Sequence, residues 1–329
     1  MASLSPSSVA GNAEGEGAPG SSATEESPRI RSADAALLGS LALLWGSAYI
    51  FIRQGIVLGA SPLLFAAVRY ALSAAAFALL ALVRRELLPS RKALLISAVV
   101  GGPFLIGFYG GLLYWGEQFT SGGYAAVLSS TAPILTVVAA YSLLPAERLG
   151  RGSLAGVALG FVGAIVLVYP ELRGGFVGGW EGPLIILGAF LSTAVGSVVL
   201  RRIGLGRQGL WQIGTQFAVG GLVLGVAMAL LPVPETLPLS EGVLTALALL
   251  VVLSSVMGYF VYFTLHHRVG PVRANVVAYL LPLVGLGLGT GFLGEAVNPW
   301  EVAGFLIVLA GVTLVLWESA KHPRHDPGR

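Results

Sequence analysis

The sequence predicts an all-α integral membrane protein of ten transmembrane helices, arranged as two inverted five-helix repeats. Three observations lead there: the composition, a regular succession of apolar stretches, and self-similarity at a fixed spacing. Of 329 residues, 55% are hydrophobic and 11% charged, and mean hydropathy is +0.83. A soluble domain carries about 25% charged residues. This chain has too few charges to cover a water-facing surface, which argues against a soluble enzyme, a nucleic-acid binder and a disordered protein. The net charge of +3 suggests no nucleic-acid partner, because the placement of the charges accounts for it. Cysteine is absent, so disulfides, thiolate metal sites and a cysteine nucleophile are excluded.

Residues 1–34 are rich in Ser, Gly, Ala and Glu and read as a disordered cytoplasmic tail. They lack the basic start and hydrophobic core of a signal peptide. A membrane span needs roughly 20 apolar residues, and residues 35–320 divide into ten. Spans 35–57 and 61–83 are parted by Gly59-Ala60-Ser61-Pro62, and the second ends at Arg84-Arg85-Glu86. Spans 93–115 and 121–144 are joined by a very short loop at Glu117 and Gln118. Span 152–169 ends before Gly174-Gly175, and 183–201 follows. Span 210–231 stops at Pro232-Val233-Pro234; 243–265, 273–293 and 299–318 complete the set, and 319–329 is a second cytoplasmic tail.

Lys and Arg fix the orientation, since cytoplasmic loops carry the excess of both. With both termini inside, 16 of the 19 fall on cytoplasmic segments. The opposite loops carry Glu117, Glu171, Glu181, Glu235, Glu241, Glu295 and Glu301. The lipid bilayer is therefore the expected medium, and 17 Arg against 2 Lys favours a bacterial inner (plasma) membrane.

The halves match at a fixed offset. Arg53 and Arg201 differ by 148, as do Glu147 and Glu295, Gly156 and Gly304, and Gly163 and Gly311. Pro133 and Pro282 differ by 149. Five spans per repeat is an odd number, so the second half inserts upside down. Inverted repeats mark secondary transporters, whose two halves exchange conformations around one cavity.

Several stretches carry a family resemblance: LLWGSAYIF from Leu43 to Phe51, SPLLFAAVRY ending at Tyr70, YWGEQFTSGGYAAVLSSTAP ending at Pro133, and the blocks around Glu147 and Glu295. Together they resemble the EamA-type transporters of the drug/metabolite transporter superfamily. The resemblance covers about residues 35–318, as repeats 35–169 and 183–318. It implies ten helices, cytoplasmic termini, a central cavity and alternating access. The implied cargo is an amino acid, metabolite or hydrophobic drug, often exported. LPAERL fits the family pattern, whereas LGEAVN keeps the Glu without the following basic residue.

The candidate functional residues follow from what is costly in lipid. Pro133, Pro282 and Pro103 fall within spans 4, 9 and 3. A proline removes one helical hydrogen bond and frees the carbonyl four residues earlier, so each is a candidate hinge. Ser130 and Thr131 lie beside the first and Tyr279 beside the second. Arg69 is charged and well inside span 2, about 12 Å from the break at Pro62 at 1.5 Å per residue. It could meet a substrate anion, snorkel to the surface, or pair with Glu117. Trp45, Tyr49, Tyr109, Tyr259 and Tyr279 are candidate cavity aromatics, while Tyr114 and Trp115 read as interface-belt residues. Gln212 and Gln216 share a face near the cytoplasmic end, where contact with cargo or water explains them equally. Gly152, Gly156 and Gly160, with Gly304 and Gly311, mark two packing helices and a candidate homodimer contact.

No Asp, Glu or His falls near the middle of a span. A central proton relay is therefore not expected, leaving exchange, facilitated diffusion, or coupling through Glu117, Glu147 or Glu295. Glu147 and Glu295 sit at span ends on opposite faces as candidate gating charges. There is no ATP-binding GxxxxGK[ST] loop, no metal-ligand motif and no expected cofactor. The expected function is alternating-access export of a small-molecule substrate, an amino acid or drug-like solute, from a cavity between spans 1, 3, 4, 6, 8 and 9, with Arg69 at its outer edge. Import or exchange of an anionic metabolite is the alternative, with an integral-membrane enzyme a rival from another class.

Overall fold

The computed structural model describes residues 32–143, 151–172, 180–204, 208–231, 235–269, 277–278 and 280–321. Glu147 and Tyr279 lie outside these residues. Among the described residues the protein is all-helical. Ten helices follow in order: α1 Ser32–Val57, α2 Pro62–Val83, α3 Arg91–Glu117, α4 Gly122–Leu143, α5 Arg151–Leu172, α6 Glu181–Ile203, α7 Leu210–Leu230, α8 over 241–269, α9 Leu281–Leu293 and α10 Pro299–Lys321. Seven stretches are long and apolar enough to cross a membrane, and shorter apolar stretches lie in α5, α9 and α10. The protein is a multi-pass membrane protein.

Local chemistry sets the helix ends. Ser61 is the N-cap of α2, with Pro62 at a first-turn position where its missing N–H costs nothing. The side chains of Ser90 and Ser240 accept from the N–H groups of Ala93 and Val243 at the starts of α3 and α8. Gly204 and Gly294 close α6 and α9 with φ of +71° and +64°, a conformation open to glycine. Gln212 is buried in a capping arrangement, its side-chain oxygen accepting from Gly209 N–H at 3.0 Å. Gln216 donates to Gln208 at 3.0 Å. Both glutamines therefore brace the start of α7 rather than face cargo or water.

Helices α3 and α8 each carry a wide, π-wound segment in corresponding places, Ser97–Phe108 and Leu250–Met257. Pro103 lies inside the first, so Gly101-Gly102-Pro103 rewinds span 3 without breaking it. The second holds no proline, so proline alone does not explain the pair.

The main contacts between helices recur when the halves are exchanged, although the α1–α4 contact has no α6–α9 counterpart of similar extent. Helix α1 packs on α8 and α9, as α6 packs on α3 and α4. The α5–α10, α2–α7 and α4–α9 contacts join equivalent helices. The most extensive contact is α5 on α10. A Cβ on Gly163 would stand 2.7 Å from Val308 N, and one on Gly311 2.6 Å from Gly156 O. Of the glycines offered for a homodimer contact, Gly156, Gly160, Gly304 and Gly311 are thus used within the chain, where they let two backbones touch.

Gly311→Ala should therefore destabilise the protein by about 1–3 kcal/mol through overpacking. Gly287→Ala, with nothing within 4 Å of the added carbon, should not. Thermal unfolding in detergent compares them; equal melting temperatures would contradict the close α5–α10 contact.

Candidate functional site

Arg69 organises the centre of the bundle. Its Nη1 donates to the Tyr114 hydroxyl at 2.9 Å, Nη2 to Ser254 Oγ at 2.9 Å and Nε to Ser255 Oγ at 3.4 Å. The residue is 8% exposed, so it does not snorkel to the surface. Its hydrogen-bond partners are three hydroxyls and no carboxylate, so the alternative of a fixed Glu117 pair is not formed. Tyr114 is fully buried and belongs to this site, not to an interface belt.

Aromatic rings surround the guanidinium. Trp45 lies 5.9 Å from Tyr259 and 5.2 Å from Tyr262 between ring centres. Phe77 stacks on Phe217 at 5.6 Å, and Tyr259 touches both. The buried Tyr49 side chain meets those of Tyr109 and Ser129, and Tyr109 reaches Phe190 of α6 at 6.0 Å. The cluster draws on α1, α2, α3, α4 and α8, with single rings from α6 and α7. Arg69 of α2, expected at the outer edge of the cavity, lies at the centre of the cluster.

The expected residues divide. Trp45, Tyr49, Arg69, Tyr109 and Tyr259 come together. Thr131 does not join them: its hydroxyl donates to Leu128 O at 2.7 Å, and it lines an otherwise apolar groove between α4, α5 and α6. Ser130 is buried with its hydroxyl unpartnered, and its neighbour Ser129 is the one that meets Tyr49.

The prolines sit differently from expectation. Pro133 follows a tight 3₁₀ turn, Ser129–Thr131, at the second position of Ala132–Leu143. The Ser129 carbonyl it frees accepts from Ala132 N–H, so the turn itself satisfies it. Pro282 is the second residue of α9. A proline in a first turn displaces no helical hydrogen bond. Pro282 thus opens its helix, while Pro133 lies in the middle of α4, where the 3₁₀ turn before it changes the winding.

Two side chains from other helices reach the π-wound segments. Trp45 Nε1 donates to Ser254 O at 3.2 Å, and Ser192 Oγ donates to Phe104 O at 2.8 Å. The first joins α1 to α8 and the second α6 to α3.

At one end of the bundle, the turn between α3 and α4 is held from both sides. Arg53 Nη1 donates to the carbonyls of Glu117 at 2.6 Å and Gln118 at 3.2 Å. The Glu295 carboxylate accepts from Gly122 N–H at 3.0 Å and Gly123 N–H at 2.9 Å. Ser121 accepts from Tyr124 N–H at 3.1 Å. A cation thus meets a helix C-terminus and an anion the next N-terminus, the signs that the helix dipole favours. A side chain at position 123 would put its Cβ 2.7 Å from Glu295 Oε2, so glycine admits the carboxylate. Beside this clamp, Arg53, Gln118, Thr120 and Glu295 help line a cavity of about 470 Å³. At the opposite end, Asp34 pairs with Arg268 at 2.8 Å, tying α1 to α8.

Ser254 and Ser255 were not anticipated, although a hydroxyl pair in the apolar run between Thr245 and Tyr259 is the signal that marks them. Asp34, at the margin of the polar tail, gave no such signal.

Glu295→Ala and Arg53→Ala should each destabilise the protein, by about 0.5–2 kcal/mol for the lost anionic cap and about 0.3–1 kcal/mol for the cation. Because both hold one turn, the double variant should depart from additivity. A thermal-unfolding cycle reads this, and strict additivity would show that the two halves of the clamp act separately.

The EamA-like transporter family model matches this chain twice, at residues 34–169 and 180–317. The chain is 31% identical to the inner membrane transporter YedA of Escherichia coli K12, over 84% of this chain and 89% of that protein. It is 26% identical to the transporter YvbV of Bacillus subtilis, over 89% and 93%. It is 27% identical to a probable amino-acid metabolite efflux pump of Salmonella typhimurium, over 83% and 93%. A solved crystal structure shares the fold with TM-score 0.58 at 19% identity, covering 89% of this chain and 100% of the other. Two matches that together span most of the chain place it in a transporter family and not an enzyme family: the chain belongs to the EamA-like transporter family.

Proposed function

We propose that this transporter exports a small organic metabolite, an amino acid or drug-like solute, across the plasma membrane by alternating access. The observation that carries the reading is the buried Arg69 guanidinium, surrounded by aromatic rings and held by neutral hydroxyls. A buried cation without a fixed counter-charge suits a cargo carboxylate, which its fork of N–H groups would hold bidentately. Trp45, Tyr49, Tyr109 and Tyr259 would cover the apolar part. Tyr279, outside the described residues, is proposed to join them. The 27% identity to a probable amino-acid metabolite efflux pump supports both cargo class and direction.

Repeats 35–169 and 183–318 are proposed to insert in opposite senses, with both termini cytoplasmic. The Lys and Arg distribution supports this topology, as do the main helix contacts, which recur on exchange of the halves. In that orientation the clamp of Arg53 and Glu295 closes the outer end. Glu147, the sequence counterpart of Glu295, is the gating charge proposed for the inner end, and the junctions at Pro133 and Pro282, with the wide turn at Pro103, are the proposed bending points. Uptake or exchange of an anionic metabolite is a second reading, favoured by the same unpaired guanidinium.

Counterflow in proteoliposomes tests the proposal. Vesicles loaded with unlabelled amino acids should accumulate the matching labelled solute without any gradient. Arg69→Ala should lower uptake of carboxylate-bearing cargo at least tenfold, and Arg69→Lys should restore only part, since lysine lacks the planar fork. Normal counterflow by Arg69→Leu would defeat the carboxylate role. Comparing inside-out with right-side-out vesicles separates export from uptake.

A further inference from the structure

We propose that Glu117 is a proton-binding site that couples transport to the proton gradient, its proton setting whether the outer clamp stays closed. This rests on the transport reading above and adds the coupling ion to it.

Glu117 ends α3 and is 0% exposed. Neither carboxyl oxygen has a hydrogen-bond partner. A carboxylate so placed is the costliest form of this side chain, because nothing replaces the water it lost. Arg53 is beside it, yet donates to the main-chain carbonyls of Glu117 and Gln118 and not to the carboxyl group. Glu295 is already committed to Gly122 and Gly123. Of the three glutamates that the sequence left open for coupling, Glu117 is the one described with free acceptor atoms.

Its surroundings suit a proton better than a metal ion. No group of three His, Cys, Asp or Glu that could hold a metal occurs among the described residues. Two guanidiniums, Arg53 and Arg69, lie within electrostatic reach and would repel a bound cation, and Glu295 is within the same reach. Tyr49 and Tyr114 lie within the same reach, and the other titratable groups toward this end of the packed elements are Tyr70 on α2, Tyr109 on α3, Tyr124 on α4 and the exposed Glu181 on α6. Gln118 and Thr120, each with a buried unpartnered polar atom, line the cavity of about 470 Å³ at the clamp. They mark the water path by which the proton arrives. Tyr114 is three residues before Glu117, on the same face of α3, and it holds Arg69 at 2.9 Å. Glu117 therefore sits between the outer cavity and the central cluster.

The switch follows from acceptor strength. With the proton on the carboxyl oxygen, Arg53 keeps the carbonyls that end α3, as seen here. When that proton leaves to water, the carboxylate becomes a stronger, charge-assisted acceptor. It draws the guanidinium off the carbonyls and releases the turn between α3 and α4. A proton entering from outside thus closes the clamp behind departing cargo, which makes the cycle a cargo–proton antiport.

Infrared difference spectra of the purified protein between acid and alkaline pH test this. The wild type should show a protonated-carboxyl band that is lost in Glu117→Gln and retained, shifted, in Glu117→Asp. Identical spectra in wild type and Glu117→Gln would overturn the proposal. Should Glu117→Gln fail to fold, the wild type alone decides. Dicyclohexylcarbodiimide, which modifies protonated carboxyls, should label Glu117 in a pH-dependent manner by peptide mass mapping. No adduct at Glu117 would overturn the proposal. In vesicles, Glu117→Gln, which cannot lose the proton that holds the clamp closed, should lose counterflow, and Glu117→Asp should keep it; full counterflow by Glu117→Gln would overturn the switch. Loss of wild-type counterflow would instead defeat the transport reading, which the spectroscopic result does not touch.

Discussion

The constraint behind this structure is that lipid offers no hydrogen bonds, so each buried backbone polar group must find its partner inside the bundle. Where helices run straight, the helix itself supplies the partner. Where they end or change winding inside the protein, another helix has to. The turn between α3 and α4 is the clearest case. Arg53 of α1 takes the last carbonyls of α3, and Glu295 takes the first N–H groups of α4. One loop thereby draws α1, α3, α4 and the end of α9 together. In the proposed cycle the same contacts that satisfy the backbone would also hold this end of the bundle shut.

The π-wound segments repeat this logic in both halves. A wide turn loosens the regular ladder and leaves carbonyls accessible from the side. Trp45 of α1 takes one in α8, and Ser192 of α6 takes one in α3. Exchanging the halves turns the α1–α8 bond into the α6–α3 bond, with different donors doing equivalent jobs. A tryptophan and a serine share little beyond one polar hydrogen. What the repeat has kept is the need for a donor at that place, because the loosened carbonyl is common to both.

Much of the fold was legible because membrane helices announce themselves by length and composition. The expected span 210–231 and the observed Leu210–Leu230 differ by one residue. The site was less legible, since sequence gives depth but not facing. Arg69, Trp45, Tyr49, Tyr109 and Tyr259 were identified because buried charge and aromatic pairs are costly or unusual wherever they face. Tyr114 was misread because it lies near a helix end, where interface tyrosines are common, and its burial depends on neighbours from α2. Thr131 and Ser129 are two residues apart and thus on different helix faces, so a short 3₁₀ turn was enough to swap which one reaches Tyr49. Pro133 and Pro282 were placed at the right points of the chain, but what they do depends on where a helix starts, which spacing alone left open.

The neutral company of Arg69 bears on turnover. Removing one partner from a buried ion pair costs about 3–5 kcal/mol, because the other charge is left uncompensated. Had Glu117 been fixed on Arg69, a cargo carboxylate would have had to displace it at that cost. Hydroxyls of Tyr114, Ser254 and Ser255 keep the guanidinium satisfied at rest and can be exchanged for cargo oxygens in a like-for-like trade of hydrogen bonds, with charge assistance added. In the proposed cycle the hydroxyls return on release, so neither the loaded nor the empty site would strand a charge in lipid. Under the proposed cycle, keeping Glu117 off Arg69 leaves the carboxyl group to the clamp and the guanidinium to the cargo. Two costly ionisable groups within electrostatic reach of each other can then serve separate steps of one cycle, one opening the path and the other holding what moves along it.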